Sequence, residues 1–437
     1  MEYTITELPK SRVEINITLP FSEFEPHVRR GAIEISEKKD IEGFRKGKAP
    51  YHVVKDRIGE AAIYEEAADL AVRKTYPEVM KKIADARESK REGFLPIGRP
   101  DITVTKLAPD NEMQYKVTLS LLPQVGLPPY KDIAGYIRAG EKKEVSVSDE
   151  EVDKTIDWIR DSRTKIVAVN RPVQMGDVVQ IDFEVRRGGV KIEGGEDRNH
   201  SFVLGKGKFI PGFEEELVGM TSGQEKSFTL VVPEDWREKS LAGQAVDVKI
   251  AVKGVQERIM PDLDDAFAKH LGSFSSVFEF RKSVEEGILK EKQDKERQRV
   301  RMRIIEEIAG EARMDLPDVL VDAQSEKMAE ELKGGTRDMG LEWDRYLSHL
   351  KKTEEELRYE WRPEAEKRAR VALCLREIAI KENIGPSDEE VKTKADEYLQ
   401  QFASGEETRK DIDPERLRAY TKDVLRNEKV FEFLEQR

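Results

Sequence analysis

Between Gly176 and Val255 short runs carry apolar residues at every second position, whereas beyond Pro261 they recur at every third or fourth, and this change of period limits what the chain can fold into. A period of two lays one face of a strand on a core, and a period near 3.6 lays one stripe of a helix there. The two stretches therefore need separate cores. Length agrees, because 437 residues exceed what one core holds, so roughly two to four domains are expected. Within the first stretch Val179, Ile181, Phe183 and Val185 form one face, Phe228, Leu230 and Val232 another, and Val246, Val248, Ile250 and Val252 a third. Gly188-Gly189 and Gly194-Gly195 punctuate them, which predicts a small β-rich domain.

The N-terminal part reads as α+β. Val13, Ile15, Ile17 and Leu19 alternate with polar residues and predict a strand paired with the one containing Ile5. Ser22 with Glu25 has the form of a capping box opening a helix toward Ile35. A second helix is expected from about Ile58 to Lys82, with Ala61, Glu65, Ala68, Val72 and Tyr76 at helical spacing. Ile102 and Val104, then Pro109-Asp110-Asn111, then Tyr115, Val117, Leu119 and Leu121 read as a hairpin. Leu122 to Pro129 is proline-rich and extended, and Ser148 with Glu151 caps a helix striped by Val152, Ile156 and Ile159.

Beyond Pro261 the reading is all-helical. Val300, Ile304 and Ile308 recur at helical spacing, whereas Lys290 to Arg299 contains no apolar residue, so that part of the helix has no face to bury and is expected to project into water as an arm. Pro317 and Pro414 suit first helical turns, Thr353/Glu356 and Ser387/Glu390 suit capping boxes, and Leu417, Tyr420, Val424, Phe431 and Leu434 stripe the last helix.

Charged residues make up 38% of the chain and the formal net charge is −12, which argues against a dedicated duplex-DNA binder or a membrane-surface protein, since both need a positive field. The single cysteine, Cys374, has no intrachain partner and reads as a buried thiol in a reducing cytosol. The start Met1-Glu2-Tyr3-Thr4-Ile5-Thr6 alternates like a strand, and no run approaches the roughly 18 apolar residues of a membrane span, so a cytoplasmic protein is expected. His27, His52, His200, His270 and His349 are scattered without metal spacing and read as surface or packing residues. Gly205-Lys206-Gly207-Lys208 lacks the spacing and the hydroxyl of a phosphate-binding loop. No cofactor and no metal are expected.

One loop reverses the charge of the chain. From Gly43 to Lys55 there are four basic residues and no acid, and Phe44 has no periodic apolar partner. An aromatic ring beside arginine and lysine on a glycine-bounded loop suits docking on a phosphate-rich or acidic surface, where the charges pair and the ring fills a pocket. The stretch Gly43-Phe44-Arg45-Lys46-Gly47-Lys48-Ala49-Pro50 resembles the signature loop of trigger factors, with a Phe-Arg-Lys triplet between glycines and a closing proline. The resemblance implies that Phe44, Arg45 and Lys46 contact a protein of the large ribosomal subunit and nearby ribosomal RNA beside the exit tunnel.

A second constellation supports it. Gly176 to Phe183, Phe202-Val203-Leu204-Gly205 and Ile210-Pro211-Gly212-Phe213-Glu214-Glu215 resemble, in order and spacing, an FKBP-type prolyl isomerase domain, which trigger factors carry mid-chain. The resemblance makes Phe183, Phe202, Ile210 and Phe213 the catalytic pocket wall. Ile192, Glu193 and Val248 stand where many relatives have Phe, Asp and Phe, and Trp236 falls near a common tyrosine, so a shallower or differently shaped pocket is expected. Met302, Met314, Met328, Met339, Trp343, Tyr346, Leu350, Tyr359 and Trp361 scatter through the helical part, which in trigger factors forms two arms and a cradle for unfolded nascent chains.

The expected architecture is multidomain α+β. It comprises a ribosome-binding domain over 1–112, a linker and helix over 113–164 packing with the C-terminal body, an isomerase domain over 165–258 and a helical chaperone domain over 259–437. The expected function is a ribosome-associated chaperone that binds nascent chains and isomerises X–Pro bonds; a homodimer off the ribosome is one state the resemblance allows. The alternative is a free-standing cytosolic prolyl isomerase with a helical dimerisation region, which leaves the Phe44 loop without a role.

Overall fold

The computed structural model describes residues 1–89, 94–141, 143–207, 209–236, 238–239, 241–402 and 413–436. They divide into two compact units, Met1–Lys142 with Arg297–Arg437, and Lys143–Glu296.

The first unit opens with an antiparallel sheet of strands β1 (Glu2–Leu8), β2 (Arg12–Leu19), β3 (Pro96–Lys106) and β4 (Met113–Leu121), ordered β1-β2-β4-β3. Ile5 pairs with Ile15, and Ile15 in turn with Val117, as alternation requires. The sheet runs on to Leu121, beyond the boundary expected at 112, because β4 is the strand that joins β2 to β3. Helices α1 (Phe21–Lys38), α2 (Tyr51–Ile58) and α3 (Glu60–Ser89) accompany it. A Cβ at Gly31 would lie 3.0 Å from Ala67 N and Ile63 O, so α1 and α3 approach so closely that a side chain there would have to push the α3 backbone back. The capping box expected at Ser22 is absent: α1 begins at Phe21, Pro20 is its cap, and Ser22 is already inside the first turn. The helix expected from Ile58 is interrupted by Gly59, whose φ of +102° separates α2 from α3.

The rest of this unit is helical, with α4 (Tyr130–Glu141), the second half of α7 (Val277–Glu311), α8 (Asp318–Asp338), α9 (Trp343–Leu350), α10 (Glu354–Glu360), α11 (Arg362–Lys381), α12 (Asp388–Phe402) and α13 (Pro414–Gln436). Tyr130, Ala134 and Ile137 of α4 pack with Ile304 and Ile308 of α7, Cys374 and Ile378 of α11, and Val430 and Leu434 of α13. Burial pushes the Cys374 thiol up to about 11. Arg301, only 3% exposed, is held by Glu428 and Glu435. Burial pushes the Glu435 carboxyl up, but the guanidiniums of Arg297 and Arg301 more than reverse this and hold it at about 2. Both capping boxes expected here form, Thr353 with Glu356 and Ser387 with Glu390.

The second unit holds α5 (Asp149–Asp161), α6 (Asp265–Leu271), the first half of α7, and a five-stranded antiparallel sheet of β5 (Lys165–Ala168), β6 (Val178–Arg187), β7 (Val190–Val203), β8 (Glu225–Val231) and β9 (Ala245–Ile259). Strand order is β5-β9-β6-β7, with β8 on β9. The Ser148–Glu151 box caps α5, whose Val152 and Ile156 pack with Phe267 and Phe280. Both helices of the stretch 123–165 thus pack on residues beyond 259.

The Lys290–Arg299 stretch is the middle of α7, and it is laced by polar partners rather than bare. Lys292 pairs with Glu151 at 2.5 Å and Glu296 accepts from Lys143 N at 2.8 Å, while Arg297 pairs with Glu435 at 2.7 Å and Arg299 donates to Glu141 O at 2.6 Å. Charged residues without an apolar face were matched to charged neighbours, which the periodicity of one helix does not reveal. No helix among the described residues is long and apolar enough to cross a membrane.

Candidate functional site

Two sites follow from these scaffolds. The first is the loop between α1 and α2. Ile41 and Ala49, both buried, pin its two ends into the sheet-and-helix core. Gly43 and Gly47 have φ of +87° and +74°, which let the chain turn out and back around the triplet. Gly47 N donates to Ser36 O at 3.0 Å, and Lys48 N to Arg45 O at 2.9 Å, so the loop is hydrogen-bonded to α1 and to itself. Phe44 is left 43% exposed. Lys46 lies 3.4 Å from Asp40, with both side chains largely in water, whereas Arg45 has no ion-pair partner among the described residues. The structure therefore distinguishes the two cations that the sequence treated alike.

The second site is an aromatic cluster on one side of the second unit's sheet. Phe183 comes from β6, His200 and Phe202 from β7, and Phe209, Ile210 and Phe213 from the segment between β7 and β8. Phe183 meets Phe213 edge-on, with ring centres 6.2 Å apart, and Phe213 meets Phe228 at 6.0 Å. Phe213 N donates to Ile210 O at 3.0 Å, a turn that brings Ile210 and Phe213 to the same cluster. Phe213 is 2% exposed and Phe202 is buried, while Phe183 and Ile210 are half-buried.

Charged groups tie together the backbone that carries the cluster. Arg171 donates to both carboxylate oxygens of the buried Asp177, at 2.8 and 3.0 Å, at the entrance to β6. Glu214 accepts from Gly205 N at 2.5 Å, which ties the start of the loop to its end. Adjoining the cluster at Phe183 is a mostly polar cleft of about 190 Å³, lined with Ile250 by Asp182, Glu196, Arg198, Glu225, Lys249 and Lys253. The Asn199 N–H and the Lys253 ammonium hold the Asp182 carboxyl below its usual range. Such a cleft suits charges that pair with each other, not an apolar ligand.

Among curated proteins, the trigger factor of Caldicellulosiruptor saccharolyticus is 31% identical over 403 residues, covering 92% of this chain and 89% of its own. The chain belongs to the trigger factor family. The trigger factor of Carboxydothermus hydrogenoformans is 29% identical over 435 residues, 99% of this chain and 98% of that protein. The family described as bacterial trigger factor protein matches residues 1–159, and its C-terminus matches 276–436. Residues 169–253 match the FKBP-type peptidyl-prolyl cis-trans isomerase family, so this trigger factor carries an FKBP-type domain between its other parts. A solved structure titled "Promiscuous Substrate Recognition in Folding and Assembly Activities of the Trigger Factor Chaperone" covers 100% of both chains at 21% identity with a TM-score of 0.51, a likeness of fold.

The structure gathers Phe183, Phe202, Ile210 and Phe213, the four residues expected to form a pocket wall, into one cluster, and it adds two. His200 contacts the rings of Phe183 and Phe202 at 5.6 and 5.9 Å, and its Nδ1 lies 2.8 Å from Asp197. Of the two roles expected for the histidines, surface or packing, His200 takes the second; its position two residues before Phe202 on β7 was the signal, because alternate residues share a face. Phe209 lies between β7 and β8, where no strand or helix period marks which way a side chain faces. Ile192 and Trp236 pack at the edge of the core and Val248 is buried in it; the Glu193 side chain lies outside the described residues.

Proposed function

We propose that this trigger factor docks on the large ribosomal subunit beside the exit tunnel through Phe44, Arg45 and Lys46, holds nascent chains with its helical body, and isomerises X–Pro bonds. The observation that carries the docking is an aromatic ring left in water on a loop whose flanks are buried, beside an arginine with no partner of its own among the described residues. A ring in water and an uncompensated guanidinium both gain from a partner that offers an apolar pocket and phosphate or carboxylate oxygens. Ribosomal protein and ribosomal RNA together offer both. The alternative of a free-standing isomerase gives this loop nothing to do.

Isomerisation would take place at the wall formed by Phe183, Phe202, Ile210 and Phe213. The barrier to rotation about a peptide bond is about 18–20 kcal/mol, set by amide resonance, and each ~1.4 kcal/mol removed is tenfold in rate. A twisted amide has lost resonance and charge separation, so an apolar enclosure favours it over the planar form. No nucleophile or general base is needed.

Holding would fall to the helical body, where Met302, Met339, Leu350 and Tyr359 are exposed among charged neighbours. Dispersed apolar groups of this kind give many weak contacts, which permit release into the cytosol or back to the tunnel. Co-sedimentation of the full chain with ribosomes, washed at rising salt, tests the proposal. Pelleting that weakens progressively with salt is expected; a chain that never pellets at low salt returns the choice to the free-standing isomerase.

A further inference from the structure

The ring of Phe209 lies inside the aromatic wall rather than beside it. Its centre is 4.7 Å from Phe202, 5.6 Å from Phe183 and 5.6 Å from His200, and it stacks on Phe213 at 4.3 Å with an interplanar angle of 10°. No other ring of the cluster is so close to so many others. Phe183 to Phe213 spans 6.2 Å, so Phe209 stands closer to Phe213 than the wall residues stand to each other. Parallel stacking at this separation leaves no room for another ring on that face of Phe213. The rings are bounded behind by a packed core, in which Val179, Ile181, Val248 and Ile250 are all buried. A flat apolar ligand can reach Phe213 on that face only by displacing Phe209.

We propose that Phe209 is an internal occupant of the isomerase pocket, standing where the prolyl ring of a substrate must go and setting the affinity for it. The inference rests on the isomerase reading for its ligand. Phe209 is half-buried and hangs between Gly207, φ +64°, and Gly212, φ +92°. Its exchange for a prolyl ring replaces one set of ring contacts by another, so the pocket stays filled and dry in either state. The free domain thereby hides apolar surface that would otherwise attract any unfolded segment.

The test compares the full chain with Phe209→Ala, Phe209→Leu and Phe213→Leu, using a blocked Ala-Leu-Pro-Phe tetrapeptide as probe. Kd is read by titration, and the cis–trans exchange rate is read in the same samples by nuclear magnetic resonance. Removal of a stacked competitor should tighten peptide binding about three- to tenfold in Phe209→Ala, less in Phe209→Leu, while Phe213→Leu weakens it. Unchanged or weaker binding in a folded Phe209→Ala overturns the proposal and makes Phe209 an ordinary wall residue. Should that variant fail to fold, cross-relaxation between the Phe209 and Phe213 rings in the unmodified chain decides. Its loss on saturation with peptide supports displacement, and its persistence refutes it. A chain that binds the peptide more tightly after Phe209→Ala yet accelerates no exchange keeps the occupant and removes the isomerase reading.

Discussion

Phe44 and Phe213 are the same residue type in opposite situations. Phe44 is 43% exposed on a loop, and its neighbours Ile41 and Ala49 supply the loop's anchorage without it. Phe213 is 2% exposed, stacks on Phe209 and meets Phe183 and Phe228 edge-on. A ring that its own fold does not use is available to a partner, and its removal should leave folding alone. A ring enclosed by its own fold serves stability first, so any binding role is entangled with packing. Sites of the first kind can be dissected by alanine; sites of the second kind need conservative changes.

The largest effect that can break this comparison is at the loop. Replacing Phe44, Arg45 and Lys46 by alanine removes an apolar anchor and two charge-assisted contacts, and we expect ribosome affinity to fall about a thousandfold with the unfolding midpoint unchanged. A triple variant that still pellets at moderate salt defeats the docking assignment. Next comes Phe213→Ala, expected to destabilise the second unit by about 3–5 kcal/mol in denaturant titration, against less than ~0.5 kcal/mol for Phe44→Ala. Equal losses for the two would erase the distinction between them.

Smaller changes sharpen it. Lys46 is already near Asp40 at 3.4 Å, and Arg45 has no ion-pair partner among the described residues, so Arg45→Ala should weaken ribosome binding about tenfold and Lys46→Ala about threefold. The reverse order would mean that Asp40 releases Lys46 on binding. The smallest effect lies away from both sites. The Glu435 carboxyl is held at about 2 against an ordinary 4.5, so its ionised form favours the folded state. Its contribution is fully present above about 4.5 and is lost as pH falls toward 2. The difference in Tm between the unmodified chain and Glu435→Gln should shrink over that interval; a difference that is flat with pH removes the Arg301 network from the acid response.

Much of this was legible in the residues. Strand faces at Val13 to Leu19 and at Val179 to Val185 could be read because a β period of two is a local property. The capping boxes at Ser148, Thr353 and Ser387 could be read because both partners sit within one turn. Ser22 misled because Pro20 takes the cap position two residues earlier, with a fixed φ in place of a side-chain acceptor. The exposure of the Phe44 loop followed from two glycines and a missing apolar partner.

What the sequence by itself determined, then, is everything set by neighbours within a few residues: element types, most caps, the change of period at Pro261, and the turn-out of the basic loop. Only the tertiary structure decided which distant elements share a core. It placed α4 among α7, α11 and α13, put α5 against Phe267 and Phe280, and set charged partners along Lys290 to Arg299. It also chose which aromatic rings come together in one cluster. Alternation can say that His200 and Phe202 share a face, but Phe209 belongs to no strand, and its ring was directed inward by apolar groups from β6, β7 and the turn at Phe213 acting together. Such placement depends on the sum of contacts between segments far apart in the chain, and no local pattern carries that sum.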